Sequence, residues 1–251
     1  MQEPHIAVIT PYYRERLSTL RRCHESVLAQ EVRVDHFMIA DGHRQDGVEG
    51  WNVKHIGLPH EHGDNGNTPR AVGSLLAQCE GYDFIAYLDA DNWFHPGHLA
   101  GLLAHQRETK ADVVTCFRTF HGQGGELLDI SERAEERGKH VDTSCYLVSK
   151  AAFAATRVWG LMPKPLSPLC DRVFLGAIRH GRFSTSSTHR RTVAFETQYK
   201  RHYQMAGVAP PEQSKTDEVC KPGMEYLKSN KGIAECVDLL GFWPYHYVHF
   251  F

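Results

Sequence analysis

Phe84-Ile85-Ala86-Tyr87-Leu88-Asp89-Ala90-Asp91-Asn92 is the stretch on which the fold turns. Five consecutive apolar residues bounded by polar ones read as a strand buried on both faces. The run stops at two carboxylates spaced i, i+2. Neither can be buried there alone, because an unpaired buried charge is strongly unfavourable. A divalent cation, which favours carboxylate oxygens, would be a natural partner. The plainer reading has Asp89 capping the next segment and Asp91 standing in solvent, and for a bare D-x-D it comes first. The rest of the chain decides between them.

Working outward towards the N-terminus, residues 5–10 read as a short buried strand ending at Thr10, broken by Pro11-Tyr12-Tyr13. Residues 14–30 carry Leu17, Leu20, Val27 and Leu28 at helical spacing. Residues 34–40 form a second strand, which again ends at an acid, Asp41-Gly42. Residues 52–56 make a third, and 57–66 a polar loop. Thr68-Pro69 then opens a helix, with Thr68 as N-cap, an apolar face of Val72, Leu75, Leu76 and Cys79, and Gly81 closing it. Strands alternating with helices imply a mostly parallel sheet flanked by helices. Ligands in such sheets bind beyond the carboxyl ends of the strands. Thr10, Asp41 and the Asp89/Asp91 pair are all expected there.

Towards the C-terminus, residues 96–108 read as a helix carrying Leu99, Leu102 and Leu103, and 112–119 as a strand. Gly122-Gln123-Gly124-Gly125 is a turn, and the charged segment 132–139 is expected to be exposed. Residues 141–148 read as a strand, with Ser149 capping a short helix that includes Phe153. Pro163, Pro165 and Pro168 mark a loop, from which Asp171 starts a helix ended by Gly181. Residues 192–195 form a last strand. Pro210-Pro211 then separates a tail with one short helix over 224–228. The tail ends in the aromatic cluster Phe242, Trp243, Tyr245, Tyr247, Phe250 and Phe251. The expected organisation is one catalytic domain over 1–208, in halves 1–95 and 96–208, with 209–251 packed onto it. A partner or membrane-proximal surface is the sharper reading of the aromatic cluster.

The 251 residues are 41% hydrophobic and 23% charged, ordinary for a globular protein, and the formal net charge of −2 argues against nucleic acid as partner. Seven scattered cysteines without a C-x-x-C suit a reducing compartment. No leader is evident, and no stretch reaches the roughly 18 apolar residues of a membrane span, so a cytoplasmic location is expected. No G-x-G-x-x-G follows the first strand and no G-x-x-x-x-G-K-[ST] occurs, which argues against a dinucleotide fold or a P-loop. His60 and His62 have poor zinc surroundings.

The order of motifs resembles the family 2 glycosyltransferases of GT-A fold. Val8-Ile9-Thr10-Pro11-Tyr12-Tyr13, with the helix through Ser26-Val27-Leu28-Ala29-Gln30, is similar to that family's first strand and helix. Ile39-Ala40-Asp41-Gly42 resembles its second strand and base-recognising acid. Asn67 through Arg70-Ala71 resembles the segment opening its second long helix, and Tyr87-Leu88-Asp89-Ala90-Asp91-Asn92 its D-x-D motif. Beyond residue 100 the match is looser: Cys170-Asp171-Arg172 resembles the later acid motif, and Tyr199-Lys200-Arg201-His202-Tyr203 a C-terminal histidine motif. Two departures stand out. Asn92 occupies the place where a third acid often follows D-x-D, and Cys-Asp-Arg replaces Glu-Asp.

The resemblance implies an inverting, metal-dependent transfer of a sugar from a nucleotide-diphospho-sugar, expected to be UDP-linked, to a glycan or other hydroxyl acceptor. A cation on the departing diphosphate would offset its developing charge. Asp91 is the first choice as ligand of Mn²⁺ or Mg²⁺, with Asp89 holding the ribose or a metal-bound water. His202 is the expected third ligand and His189 the alternative. Asp171 is the expected general base, with Asp142 as fallback. Thr10, Pro11, Tyr12, Asp41, Arg70 and Ala90 complete the expected nucleotide site. In it Asp41 accepts from a base N–H, Tyr12 stacks on the base and Arg70 pairs with base or phosphate. Trp93 and Trp159 are candidate platforms for the acceptor sugar. Two other readings are a nucleotidylyltransferase, which would want a glycine-rich basic loop where Thr10-Pro11-Tyr12-Tyr13-Arg14 stands, and a silent sugar- or nucleotide-binding module.

Overall fold

The computed structural model of the chain describes residues 3–130 and 138–248. Most of the charged 132–139 segment, with Phe250 and Phe251, lies outside them. The first half follows the expected alternation: β1 (Ile6–Tyr12), α1 (Leu17–Leu28), β2 (Val34–Ala40), β3 (Lys54–Gly57), α2 (Asn67–Cys79) and β4 (Phe84–Tyr87). All seven residues of β1 and all four of β4 are buried, as strands covered by helices on both faces must be. β5 (Trp93–Phe94), α3 (His98–Thr109), β6 (Val113–His121), β7 (Leu127–Leu128) and β8 (Tyr146–Ser149) follow. The chain continues through α4 (Val158–Leu161), α5 (Cys170–His180), β9 (Thr185–Glu196), α6 (Lys200–Met205), α7 (Lys221–Lys228) and α8 (Asn230–Leu240).

These strands make one sheet in the order β3-β2-β1-β4-β8-β6-β9-β5, with β7 on β6. β3, β2, β1 and β4 are parallel. β8 runs antiparallel to both β4 and β6, which restores the direction of β4 in β6, and β9 is parallel to β6. The carboxyl ends of β1, β2, β4 and β9 therefore share one edge.

Several local expectations shift for physical reasons. β1 runs on through Pro11 to Tyr12: the Pro11 nitrogen faces the β4 side, where pairing has already ended at Ile9↔Tyr87, so no ladder bond is lost. In α1 the buried face is Leu20, Cys23, His24 and Val27, while Leu17 and Leu28 are exposed. In α2 the sheet-facing residues are Arg70, Gly73, Ser74 and Ala77, and Leu75 is 62% exposed. Small residues are needed there, since a Cβ on Gly73 would sit 2.7 Å from Ile9 Cγ2. Thr68 is not the cap. Gly66 precedes the helix at φ 80°, and the Thr68 amide and hydroxyl donate to Asp64 Oδ2 at 2.9 and 2.6 Å. β8 is shorter than expected because Asp142 Oδ1 accepts from the Ser144 amide at 3.0 Å and turns residues 143–145 into a short 3₁₀ helix. β9 is longer, at 12 residues.

Among the described residues the tail holds two α-helices rather than one. Leu227 and Cys236 are fully buried in the main core, Phe242 stacks on His180, and Tyr247 closes over Gly176 in α5. The Trp243 indole donates to the Leu227 carbonyl at 2.9 Å. None of the helices among the described residues is long and apolar enough to cross a membrane.

Candidate active site

Two cavities open along the shared strand edge. The first, of about 510 Å³, lies over the ends of β1, β2 and β4 and is lined by Pro11, Tyr12, Asp41, Arg70, Asp89, Ala90 and Asp91 among others. The second lies between β4, β6 and the start of α5, and its lining includes Asp91, Asp142, Asp171, Glu196 and His202. Asn65, Arg70, Asp89, Asp91, Gln198 and Lys215 line both.

Thr10 is the one expected nucleotide-site residue the structure keeps away from these cavities. Its side chain is fully buried, and its hydroxyl lies 2.8 Å from His36 Nε2 and 3.7 Å from Cys23 Sγ. Tyr12 is held by its phenol, which lies 2.6 Å from His55 Nε2 and accepts from the Gln45 amide at 3.1 Å. Asp41 is nearly buried, and its carboxylate accepts from the amides of His62 (3.1 Å) and Gly63 (3.3 Å) and pairs with His62 Nδ1 at 2.6 Å. His62 is thus a partner of Asp41. The Gly42 that follows has φ 78°, and a Cβ there would lie 2.4 Å from the Glu61 nitrogen.

The two D-x-D acids differ. Asp89 Oδ1 accepts from Arg70 Nη2 at 2.5 Å, and Arg70 Nη1 donates to the Asn65 carbonyl at 2.8 Å. Arg70 is buried, with its guanidinium 5.2 Å from the ring centre of Trp159. Among the described residues no cation pairs with the Asp91 carboxylate, although Arg22 Nη2 donates to its backbone carbonyl at 2.8 Å. Gln198 Nε2 donates to the carboxylate at 3.1 Å. Burial, with the neighbouring carboxylates Asp89, Glu196 and Glu15, pushes its pKa up to about 7. Asn92 is fully buried: it donates to Ser144 Oγ at 3.0 Å and accepts from the Glu196 amide at 3.0 Å, tying the loop to β9.

No group of three or more His, Cys, Asp or Glu residues is assembled as a metal site among the described residues. The surroundings of Asp91 nonetheless suit a hard divalent cation: its carboxylate is an oxygen donor beside Asp89, Glu196 and Glu15, of which Arg70 pairs with Asp89 and Arg22 with Glu196. Asp91 and His202 line one cavity, whereas His189 is exposed and lines a different one with Phe117 and Arg179. His202 is itself buried against Phe120. Its Nδ1 lies 2.6 Å from Thr197 Oγ1, and its Nε2 accepts from Arg201 Nε at 3.2 Å.

Asp171 and Asp142 face the second cavity from opposite environments. Asp171 Oδ2 hydrogen-bonds His140 Nε2 and its Oδ1 accepts from the Arg172 amide at 2.7 Å. Burial opposes ionisation of Asp171, but His140 and Arg172 outweigh it and hold the carboxyl well below the usual range. Asp142 is raised, by burial and then by Asp89, in spite of Arg118 Nη1 at 2.6 Å. Its side chain is 9% exposed, against 23% for Asp171. Trp159 is buried, stacked on Phe174 at 4.5 Å, and Trp93 packs under Arg22, 4.1 Å from its ring centre; neither lines the two cavities.

Glu196, Gln198, His140 and Arg118 were not singled out from the sequence. They arrive through the direction of β9 and the pairing of β6 with β8, which no local pattern encodes. Glu196 is the best hidden of them: it is held by Arg22 from α1 at 2.7 Å, across 174 residues of chain.

A parallel-to-mixed sheet with a D-x-D loop and a facing acid at one strand edge defines an α/β transferase of the GT-A class. The chain belongs to glycosyl transferase family 2, whose model matches residues 7–167, more than half of it. Among solved structures it is similar to S. aureus TarS. The TarS 1-349 structure in complex with UDP is 15% identical, covers 94% of this chain and 70% of that one, and gives a TM-score of 0.61. The same fragment in complex with UDP-GlcNAc is 14% identical, covers 96% and 69%, and gives 0.64. A further TarS structure, of which this chain covers 43%, is 15% identical with a TM-score of 0.57. Identity this low makes the likeness one of fold. No curated protein matches the chain.

Proposed function

We propose that the protein is an inverting glycosyltransferase that moves a sugar from a nucleotide-diphospho-sugar, UDP-linked, to a hydroxyl of a glycan or related acceptor. The observation that carries the reading is the shared wall of the two cavities, where both D-x-D acids stand between a pocket suited to a nucleotide and a cleft containing a candidate base. The TarS complexes with UDP and with UDP-GlcNAc support the choice of donor. In this reading Tyr12 offers its ring to the base, Asp41 accepts from a base N–H, and Pro11, Arg70 and Ala90 shape the pocket around the ribose and phosphates. Asp89, fixed by Arg70, holds the ribose. Asp91 would hold Mn²⁺ or Mg²⁺, with His202 as the imidazole ligand if it releases Arg201. A cation bound there would supply Lewis-acid stabilisation of the departing diphosphate.

Asp171 is the base. Both carboxylates have each oxygen hydrogen-bonded, and the greater exposure of Asp171 to the cleft favours it over the more deeply buried Asp142. The acceptor oxygen forms a bond to the anomeric carbon as the carbon–oxygen bond to the diphosphate breaks, and the hydroxyl proton passes to Asp171 Oδ2 or Oδ1. A single displacement inverts the anomeric configuration. A carboxylate base contributes about 10²- to 10⁴-fold.

The test is a donor screen read by nucleoside diphosphate release, with and without EDTA, on the wild type and on Asp91→Ala. The expected outcome is release from one UDP-sugar, abolished in Asp91→Ala and in EDTA while the variant stays folded. Full activity in either case would sink the metal role. UDP binding with neither hydrolysis nor transfer across a broad acceptor screen would instead favour a silent binding module.

A further inference from the structure

Arg70 stands in the shared wall but is committed: one nitrogen serves Asp89 and another the Asn65 carbonyl, both inside the protein. The cations Arg118, Arg172 and Arg201 line the second cavity but not the first, with Asp142 facing Arg118 and Asp217 facing Arg201. Lys215 is different. It lines both cavities, and among the described residues no hydrogen bond or ion pair engages its ammonium.

Its backbone, by contrast, is fixed. Lys215 forms a parallel bridge with Tyr199, its amide donates to the Gln198 carbonyl at 2.7 Å, and its carbonyl accepts from the Lys200 amide at 2.8 Å. Gln198 is the residue that donates to Asp91. The segment beyond is anchored too: Asp217 pairs with Arg201 at 3.6 Å and the Cys220 thiol donates to the Pro168 carbonyl at 3.7 Å, just ahead of Asp171. The first part of the tail is therefore strapped across the boundary between the two cavities, and the Lys215 ammonium stands at the crossing.

We infer that Lys215 is a diphosphate-binding residue of the donor site, supplied by the tail, with its ammonium set against the phosphate oxygens of the bound nucleotide. This rests on the proposed nucleotide-sugar reading of the same site. A diphosphate entering the first cavity meets Asp89, Asp91 and Glu15 on its wall. A bound cation would offset part of that repulsion, and among the described residues lining this cavity Lys215 is the cation not already paired. An ammonium on a flexible stem suits this task, since it acts as a point charge and needs no fixed fork geometry.

The test is calorimetric titration of the full-length wild type, Lys215→Ala and Lys215→Arg with UDP, GDP and ADP and with their nucleosides, in Mn²⁺. For the nucleoside diphosphate the wild type binds tightest, Lys215→Ala is expected to bind about 10- to 100-fold more weakly, the loss of one charge-assisted hydrogen bond. Its affinity for the matching nucleoside should be unchanged, and Lys215→Arg should restore most of the loss. Unfolding temperatures should be alike, because the side chain is exposed. Unchanged diphosphate affinity in Lys215→Ala would overturn the assignment while leaving the nucleotide site standing. An equal loss for nucleoside and diphosphate would overturn it in favour of a structural role. A wild type that binds none of the three diphosphates would overturn both the assignment and the donor site beneath it.

Discussion

At the scale of single residues, one of the two departures from the family's motif pattern has a physical reason. Asn92 is fully buried and uses both ends of its amide, one as donor and one as acceptor. A carboxylate there would lose the donor and bury a charge, so the third acid is excluded by its surroundings. Cys170-Asp171-Arg172 places its acid against His140, which the helix start alone does not explain. That contact makes the base testable by pH. As the proposed base, Asp171 would have to be unprotonated to accept the acceptor's proton, so activity is expected to fall as pH drops through its pKa. His140 and Arg172 hold that value low, against the effect of burial. Replacing His140 by Gln should weaken the support and raise the Asp171 pKa, moving the acid limb of the kcat/KM profile to higher pH with little change at its alkaline end. Asp91, raised to about 7, also titrates on this limb, so the deciding measurement is Asp171→Asn, in which a kcat equal to the wild type at neutral pH would remove Asp171 from the role of base.

At the scale of elements, β1, β2, β4, α5 and the D-x-D loop were legible because each has a local signature: an all-apolar run, an acid at its end, or a proline-rich loop before it. The inward face of α2 was not. Hydrophobic periodicity pointed to Leu75 and Leu76, but closeness to the sheet selects the small residues Gly73, Ser74 and Ala77. β9 was read at a third of its length because Thr185–Arg191 is half-exposed and polar. The site showed the same division. Residues following buried strands were readable, apart from Thr10, whose position inside β1 turns it towards His36. Those delivered by strand pairing, Glu196 and Gln198, were not. The β2-to-loop junction gives a prediction at this scale. Gly42→Ala puts a Cβ against the backbone of His60 and Glu61 at a residue with φ 78°. It should cost about 1–3 kcal/mol from strain alone, and should weaken nucleotide binding by displacing the loop that carries His62. Thermal unfolding and UDP titration of the variant measure both, and wild-type values in each would show that the loop yields freely.

At the scale of the whole molecule, the tail is part of the globule. Leu227, Cys236, Phe242 and Val248 are buried, and Gly223 packs against the Pro165 carbonyl and Leu169 just before α5. Each large apolar side chain so buried is worth about 1.5–3 kcal/mol, against about 5–15 kcal/mol for an entire domain. A chain ended after Val208 is therefore expected to unfold at a much lower temperature or to aggregate, and calorimetry of the shortened protein would read it. An unchanged transition would show that residues 1–208 hold together alone.

The wall common to the two cavities carries one more consequence. Asn65, Arg70, Asp89, Asp91, Gln198 and Lys215 each face two prospective ligands. Whatever free energy one ligand spends or gains in rearranging these side chains is felt by the other, and thermodynamic reciprocity requires the factor to be identical in both directions. A side chain of this wall that moves when one chamber fills is therefore expected to show as a changed affinity in the other.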